Sequence, residues 1–151
     1  MAESTETVGQ GLLLEPLHRV WPAQALQLAP LRREMLRWLE PLALSEDAED
    51  DLVLAVNEAV SNCIEHAYRP ATVGDTVDIR CWTEPHAVFV EIVDHGRWRT
   101  PTGEPTRRGR GIVMMQRLMA SVEIHRDVGG TRVLLCHALP SAPRSRVAGA
   151  P

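Results

Sequence analysis

The sequence predicts an α/β sandwich, in which helices pack on one face of a mixed, mostly antiparallel β-sheet. Two long segments carry apolar residues at roughly helical spacing, from about Ala23 to Glu40 and from Ser45 to about Tyr68. Short runs rich in Val, Ile and Leu elsewhere in the chain are typical of strands. The resulting order of elements is βααββαββ, which favours this two-layer arrangement.

The first half of the chain is predicted to hold one strand and two helices. We expect residues 1–10 to be a flexible lead and Leu12–Val20 to be a strand that Pro22 closes. Pro41 ends the first helix. Ser45 is a suitable N-cap for the second helix, and acidic residues crowd its first turns, where the helix dipole favours anions. These acidic residues are Glu46, Asp47, Glu49, Asp50 and Asp51.

The second half is predicted to contain two strand pairs with a loop and a short helix between them. The loop, Arg97–Arg108, has almost no apolar residues, and loops of that length in compact domains are often functional. We expect residues 140–151 to form a disordered tail. The predicted elements are the strands Val77–Trp82 and Ala87–Val93, the helix Ile112–Met119, and the strands Val122–His125 and Thr131–His137.

Composition restricts the class of protein. A chain of 151 residues suits one domain, which we place at residues 11–139. The formal net charge of −4 argues against a general nucleic-acid binder, whose surface would be basic. No apolar run approaches the roughly 18–20 residues that span a bilayer, and Met1–Gln10 lacks the pattern of a secretory signal. We therefore expect a cytoplasmic protein with no membrane partner and no direct nucleic-acid partner.

The residue types available for chemistry are also informative. Cys63, Cys81 and Cys136 are widely spaced, which fits buried reduced thiols better than disulfides or a zinc site. All 16 basic residues are arginine, so mechanisms that need a P-loop lysine, a kinase strand lysine or a Schiff-base lysine are excluded. Any phosphate site would rely on arginine, backbone N–H groups, helix termini or a metal.

The second helix carries the motif Glu58-x-x-x-Asn62. Residues four apart lie on the same face of a helix, and the apolar residues Val56, Ala59 and Val60 belong to the opposite arc, which should face the sheet. Such a pair commonly belongs to a solvated face. Alternatively, the carboxylate could deprotonate a hydroxyl group, and the Asn carbonyl could ligate Mg²⁺. The helix alone leaves both interpretations open.

Two glycine-containing motifs follow. Asp94-x-Gly96 ends an apolar strand, where it is either a turn or a carboxylate that accepts a hydrogen bond from an adenine amino group. Gly109-Arg110-Gly111 opens the short helix, so it is either ordinary loop sequence or an anion site made of free backbone N–H groups. The order of the three motifs is more specific than any one of them.

In this order the motifs resemble the GHKL ATPase superfamily, whose fold is called the Bergerat fold. The sequence is most similar to bacterial anti-sigma factors that are also serine kinases, chiefly through residues 57–68 and 109–119. The resemblance covers about residues 12–138. One departure is Trp98, which stands where many relatives have the second glycine of Asp-x-Gly-x-Gly. Trp98 therefore affects the expected path of the loop Arg97–Arg108, which corresponds to the lid of these relatives.

The resemblance implies a role for each motif. Glu58 would be the general base, and Asn62 would be the Mg²⁺ ligand. Asp94 would recognise adenine with help from Gly96, and Thr131 would line the base pocket. The residues expected at the ATP phosphates are Gly109, Arg110 and Gly111.

The resemblance further implies transfer of the ATP γ-phosphoryl group to a serine of a STAS-domain anti-anti-sigma protein, sequestration of a sigma factor, and a homodimer. A second hypothesis is a nucleotide-binding regulatory module that transfers no phosphate. Glu58 mildly favours catalysis, because a module without catalysis has no need of a carboxylate there. A structural domain with no ligand would require the three motifs to coincide in the right order.

Overall fold

The computed structural model describes residues 13–67, 74–96 and 108–140, and it describes the side chains of all of these except residues 66, 67 and 108–110. The predicted flexible lead, residues 97–107 of the predicted loop with Trp98, and the tail from residue 141 onward lie outside the described residues. The elements from the first strand to the last follow the predicted order βααββαββ, with short 3₁₀ turns on either side of the first helix.

In the part of the chain that the structure describes, five strands form one sheet in the order β1-β2-β3-β5-β4. Each neighbouring pair is antiparallel, so the described sheet is antiparallel throughout rather than mixed. The first strand begins later than predicted and includes Pro22, which is tolerated because it ends an edge strand. The strands are β1 Leu17–Pro22, β2 Thr76–Glu84, β3 Ala87–Asp94, β4 Ser121–Asp127 and β5 Gly130–Ala138.

Within the described residues three α-helices accompany the sheet: α1 Leu28–Leu39, α2 Glu46–Asn62 and α3 Arg108–Leu118. Ser45 caps α2 as predicted, since its Oγ accepts a hydrogen bond of 3.2 Å from the backbone N–H of Ala48. Regular α-helix ends at Asn62, and a π-helical turn, Cys63–Ala67, continues it. Helix α3 begins at Arg108 rather than at Ile112, so the Gly-Arg-Gly motif lies inside its first turn.

The core lies between the helices and one face of the sheet. Alternate residues of the central strands are buried, as expected for strands covered on one face. On the other face Trp82 stacks on Phe89, with ring centroids 5.4 Å apart. The α/β sandwich is therefore confirmed. The largest fully buried apolar side chains are Met35, Leu39, Leu52, Ile79, Ile92, Met115 and Leu135.

Helix α2 lies where its sequence predicted. Val56, Ala59 and Val60 are all buried in the core, so the opposite face is left for Glu58 and Asn62. Burial of one large apolar side chain contributes on the order of 1.5–3 kcal/mol, which fixes the rotation of the helix about its axis. In the part of the chain that the structure describes, no helix is long and apolar enough to cross a bilayer.

Candidate functional site

Asp94 is the last residue of β3, and its side chain is only 1% exposed. Its Oδ1 atom accepts hydrogen bonds from two backbone N–H groups, those of Gly96 at 3.1 Å and Thr131 at 3.2 Å. Two backbone donors on one oxygen fix the direction of the carboxylate. The structure thus brings together Asp94, Gly96 and Thr131, the three residues for which the family resemblance implies adenine recognition.

Gly130 makes this close approach of strands possible. Its φ of +142° is one that residues with side chains rarely adopt, and a Cβ atom there would lie 1.9 Å from the carbonyl oxygen of Asp94. The next residue, Thr131, is buried and pairs with Asp94 across β3 and β5. Strand periodicity in the sequence does not show that the site depends on the missing side chain of Gly130.

Cys63 connects this strand end to helix α2. Burial raises the pKa of its thiol well above the ordinary value of 9.0, and the Asp94 carboxylate raises that pKa further by its charge and by a hydrogen bond with the thiol. The side chain after Asn62 therefore contacts the carboxylate at the end of β3. The sequence predicts a buried thiol at this position but not its contact, because helical periodicity does not show which strand residue a buried side chain meets.

The first and third motifs also meet. A methyl group on Gly111 would lie 3.2 Å from Oε2 of Glu58 and 3.4 Å and 3.5 Å from Nδ2 and Oδ1 of Asn62. Both polar side chains are half-buried, and Gly111 is buried. Helix α3 thus approaches α2 at a glycine, and the polar face of α2 is turned toward the first turn of α3 rather than toward open solvent.

The first turn of α3 has the properties of an anion site. The first N–H groups of a helix have no partner within the helix, and those of residues 108–110, the first three of α3, are among them. No acidic residue lies in that turn, so the positive end of the helix dipole is not neutralised by the turn itself. The backbone N–H groups of Gly109 and Arg110 are therefore suited to phosphate oxygens, whereas that of Gly111 is in position to bond within the helix.

The donor set also suits a magnesium ion bound together with phosphates. Among the residues that the structure describes, no three His, Cys, Asp or Glu side chains cluster as a metal site made by protein alone. Mg²⁺ usually takes one or two protein oxygens and completes its shell with phosphates and water. The Asn62 Oδ1 atom, next to the N-terminal turn of α3, fits that pattern.

The site therefore consists of two groups of residues. Asp94, Gly96 and Thr131 form one group at the end of β3, and Glu58 and Asn62 form the other against Gly111. Cys63, adjacent to Asn62 in sequence, links the two groups. Gly109 and Arg110 lie in the helical first turn by their backbones, and their surroundings are outside the description.

The fold and the site residues suit a nucleotide-binding domain, and comparison with known proteins gives the family. The sequence matches the family described as Histidine kinase-like ATPase domain over residues 21–137. The chain belongs to this family, as the sequence motifs predicted, and membership supports ATP binding.

Two individual proteins are similar to this chain, one in sequence and one in fold. Over 95 residues the chain is 33% identical to an anti-sigma F factor of Caldanaerobacter subterraneus subsp. tengcongensis, an alignment that covers 55% of this chain and 65% of that protein. The chain thus spans less than two thirds of that relative. Its fold is similar to a crystal structure of RsbU and RsbW domains from Mycobacterium tuberculosis, with a TM-score of 0.63 at 24% identity, covering 84% of this chain and 34% of the other.

Proposed function

We propose that the protein is a cytoplasmic, ATP-binding anti-sigma factor that is also a serine kinase. It would phosphorylate a STAS-domain anti-anti-sigma protein, sequester a sigma factor and act as a homodimer, with its ATP-binding domain at residues 11–139. The observation that carries the proposal is the approach of Glu58 and Asn62 to Gly111. The similarity to an anti-sigma F factor supports the class of partner.

ATP binding would use both groups of residues. The Asp94 carboxylate would accept a hydrogen bond from the adenine amino group, with Gly96 and Thr131 beside the base. The phosphates would meet the N–H groups of residues 109 and 110 at the start of α3. Because Asp94 is buried and held by two backbone donors, its direction is set before the nucleotide arrives, which reduces the entropy lost on binding.

Phosphoryl transfer would then depend on position and charge. Asn62 would be the protein ligand of Mg²⁺, whose charge neutralises the phosphate oxygens. Glu58 would accept the proton of the serine hydroxyl while the serine oxygen bonds to the γ-phosphorus. The bond from that phosphorus to the β,γ-bridging oxygen breaks, and ADP leaves. The half-buried Glu58 lies against the first turn of α3, where the phosphates would bind. The general base would therefore lie close to the γ-phosphoryl group.

Labelled ATP tests catalysis directly. Purified STAS-domain proteins of the same genome are incubated with ATP, Mg²⁺ and the wild-type protein or Glu58→Gln. We expect the wild type to label a serine and the variant to be slower by about 10²–10⁴-fold, the usual contribution of a general base, with ATP affinity within about threefold. Transfer by Glu58→Gln at the wild-type rate would contradict the role of Glu58. ATP binding by the wild type without transfer to any of these proteins would instead support a non-catalytic regulatory module.

Asp94→Asn tests the adenine site separately. The Asn side chain can keep an oxygen for the N–H groups of Gly96 and Thr131, but it presents an amino group where the carboxylate would accept a hydrogen bond. A hydrogen bond to a charged group contributes about 1.5–3 kcal/mol, so ATP should bind about 10–150-fold more weakly in a calorimetric titration. Equal affinity in a folded variant would show that Asp94 does not contact the base.

A further inference from the structure

Two exposed apolar side chains flank the contact between α2 and α3. Leu54 lies one helical turn before Glu58 on the same face of α2, and its side chain is 41% exposed. Met114 lies one turn after Gly111 on α3 and is 37% exposed. Because Glu58 and Gly111 approach each other, the helical spacing puts these two side chains within one turn of the candidate catalytic site.

The surface that contains Leu54 is acidic. Asp47, Asp51, Leu54 and Glu58 recur at intervals of three and four residues, so they form one stripe along α2. Asp50, one turn before Leu54, lies beside this stripe, and both Asp47 and Asp50 are exposed. No basic residue occurs anywhere in α2, so the helix supplies no cation of its own to neutralise the stripe.

We propose that this acceptor-docking face, made of Asp47, Asp50 and Leu54 on α2 and Met114 on α3, binds the protein that carries the acceptor serine. The proposal rests on the proposed kinase function. A hydroxyl group must come within about 2.6–3.2 Å of Glu58 to lose its proton there, so the acceptor protein must cover the surface next to Glu58. The face selects an acceptor whose serine is flanked by an apolar side chain and by Arg or Lys.

The simplest other occupant is a second copy bound through the same face, because the exposed Arg117, one turn after Met114 on α3, is available to pair with the aspartates of α2. Such an interface would cover Glu58 with the second copy and leave no space for a serine hydroxyl, so it is incompatible with the transfer proposed above. A basic acceptor segment covers Leu54 and Met114 and pairs with the carboxylates while it brings its serine to Glu58.

The apolar part of the face is tested with the double variant Leu54→Gln, Met114→Gln. The matched control is Leu26→Gln, Val128→Gln, because these two apolar side chains are each 85% exposed and lie before α1 and in the β4–β5 turn. Transfer to the same-genome STAS protein that the wild type labels is measured at several acceptor concentrations. We expect the acceptor KM to rise at least about tenfold, with kcat and ATP affinity within about twofold, and the control to match the wild type. An unchanged acceptor KM in the first variant would overturn the proposal.

The acidic part is tested with Asp47→Asn, Asp50→Asn against Glu123→Gln, whose exposed carboxylate lies on β4. We expect the acceptor KM to rise in the double variant and to depend less steeply on salt, because fewer charge pairs form. Thermal unfolding of each variant accompanies the assay, since both aspartates also favour the start of α2. A KM with the same value and salt dependence as the wild type would contradict the charge part of the proposal.

Binding separates failure of docking from failure of catalysis. If the wild type labels no STAS protein, the kinase proposal fails, and the same proteins are titrated by calorimetry with a non-hydrolysable ATP analogue present. Binding that Leu54→Gln, Met114→Gln weakens at least about tenfold still supports the docking face. Equal binding by the variant, or no binding by the wild type to any of them, overturns it. Conversion of a wild-type dimer to a monomer by the variant would identify a second copy as the occupant and also overturn it.

Discussion

Single residues determine how closely the chain segments of this site can approach one another. Gly130 sits against the backbone of Asp94 and His95, so even one methyl group there would overlap the main chain. Asp94 in turn holds its direction through the N–H groups of Gly96 and Thr131. The geometry of the adenine end therefore depends on the absence of one side chain as much as on the carboxylate.

Gly130→Ala should be among the most destabilising small substitutions in the chain. The alanine would have to keep a φ of +142° with its Cβ 1.9 Å from the Asp94 carbonyl oxygen, so β5 must move. Strain of this kind costs about 1–3 kcal/mol before the overlap is counted, and chemical denaturation measures it. Gly74→Ala is the control, because a Cβ there meets nothing within 4 Å. Equal stability of the two variants would show that the strand ends do not pack this closely.

The three cysteines should differ in reactivity. Burial raises the pKa of Cys81 to about 12 and that of Cys63 well above 9.0, while Cys136 is only half-buried. Thiolates are the reacting form, so iodoacetamide at mildly alkaline pH should modify Cys136 first and the others only on unfolding. Peptide mass spectrometry over time measures the order. Modification of Cys63 as fast as Cys136 in the folded protein would contradict its burial against Asp94.

The candidate residues were predictable because they carry their signal locally. Glu58 and Asn62 share a helix face by spacing alone, and Asp94-x-Gly96 follows an apolar strand. The contacts of Cys63 and Gly130 were not predictable, since each depends on a segment distant in sequence. Local periodicity gives the direction of a side chain relative to its own element, and only the packed fold gives its neighbour.

At the scale of elements, tertiary packing explains where the predicted boundaries were wrong. The apolar run predicted that the third helix starts at Ile112, but α3 begins at Arg108 despite two low-propensity glycines in its first turn. Gly111 allows that turn to pack against Glu58 and Asn62, and this contact compensates for the weak propensity. Likewise the bounds of β1 are set by its pairing with β2, which extends from Leu17 opposite Cys81 to Pro22 opposite Thr76.

Gly111→Ala separates helix stability from the geometry of the site. Alanine is favoured over glycine in a helix by about 1 kcal/mol, so the variant should unfold at the same or a higher temperature. Its Cβ would lie 3.2 Å from Glu58 Oε2, which must therefore shift by a few tenths of an ångström. Misplaced catalytic groups lower rates steeply, and we expect about tenfold slower serine phosphorylation in the labelled-ATP assay.

The corresponding control is Ala59→Gly, which weakens α2 at a buried position of the core. It should lower the unfolding temperature while the protein that remains folded transfers phosphate at a near-normal rate. If Gly111→Ala also transferred at the wild-type rate, the approach of α3 to Glu58 would have no part in catalysis.

At the scale of the whole molecule, the sheet brings motifs from three parts of the chain to one end of α2. The end of β3 and the start of β5 lie side by side, and Cys63 at the end of α2 contacts that strand end. At the other end of α2, the charge of Asp51 acts on His137 near the end of β5. Element order and the helix-covered face were predictable from periodicity, whereas the strand order β1-β2-β3-β5-β4 required long-range pairing that no local pattern encodes.

His137 links global stability to pH. Burial lowers the pKa of His137 below its ordinary value of 6.5, and the charge of Asp51 only partly opposes this effect. The unfolded chain therefore binds a proton at a higher pH than the folded protein does. The contribution of neutral His137 to stability is complete above the pKa of His137 in the unfolded chain, and it is lost as pH falls below that pKa toward the pKa in the folded protein.

We expect urea unfolding to show a steeper loss of stability between about pH 7 and pH 5 for the wild type than for His137→Gln, which cannot titrate there. His125→Gln is the control, because His125 is exposed on β4, and its stability should follow the wild-type curve. Parallel curves for the wild type and His137→Gln would mean that His137 takes up its proton equally in the folded and unfolded chains, contrary to its partial burial.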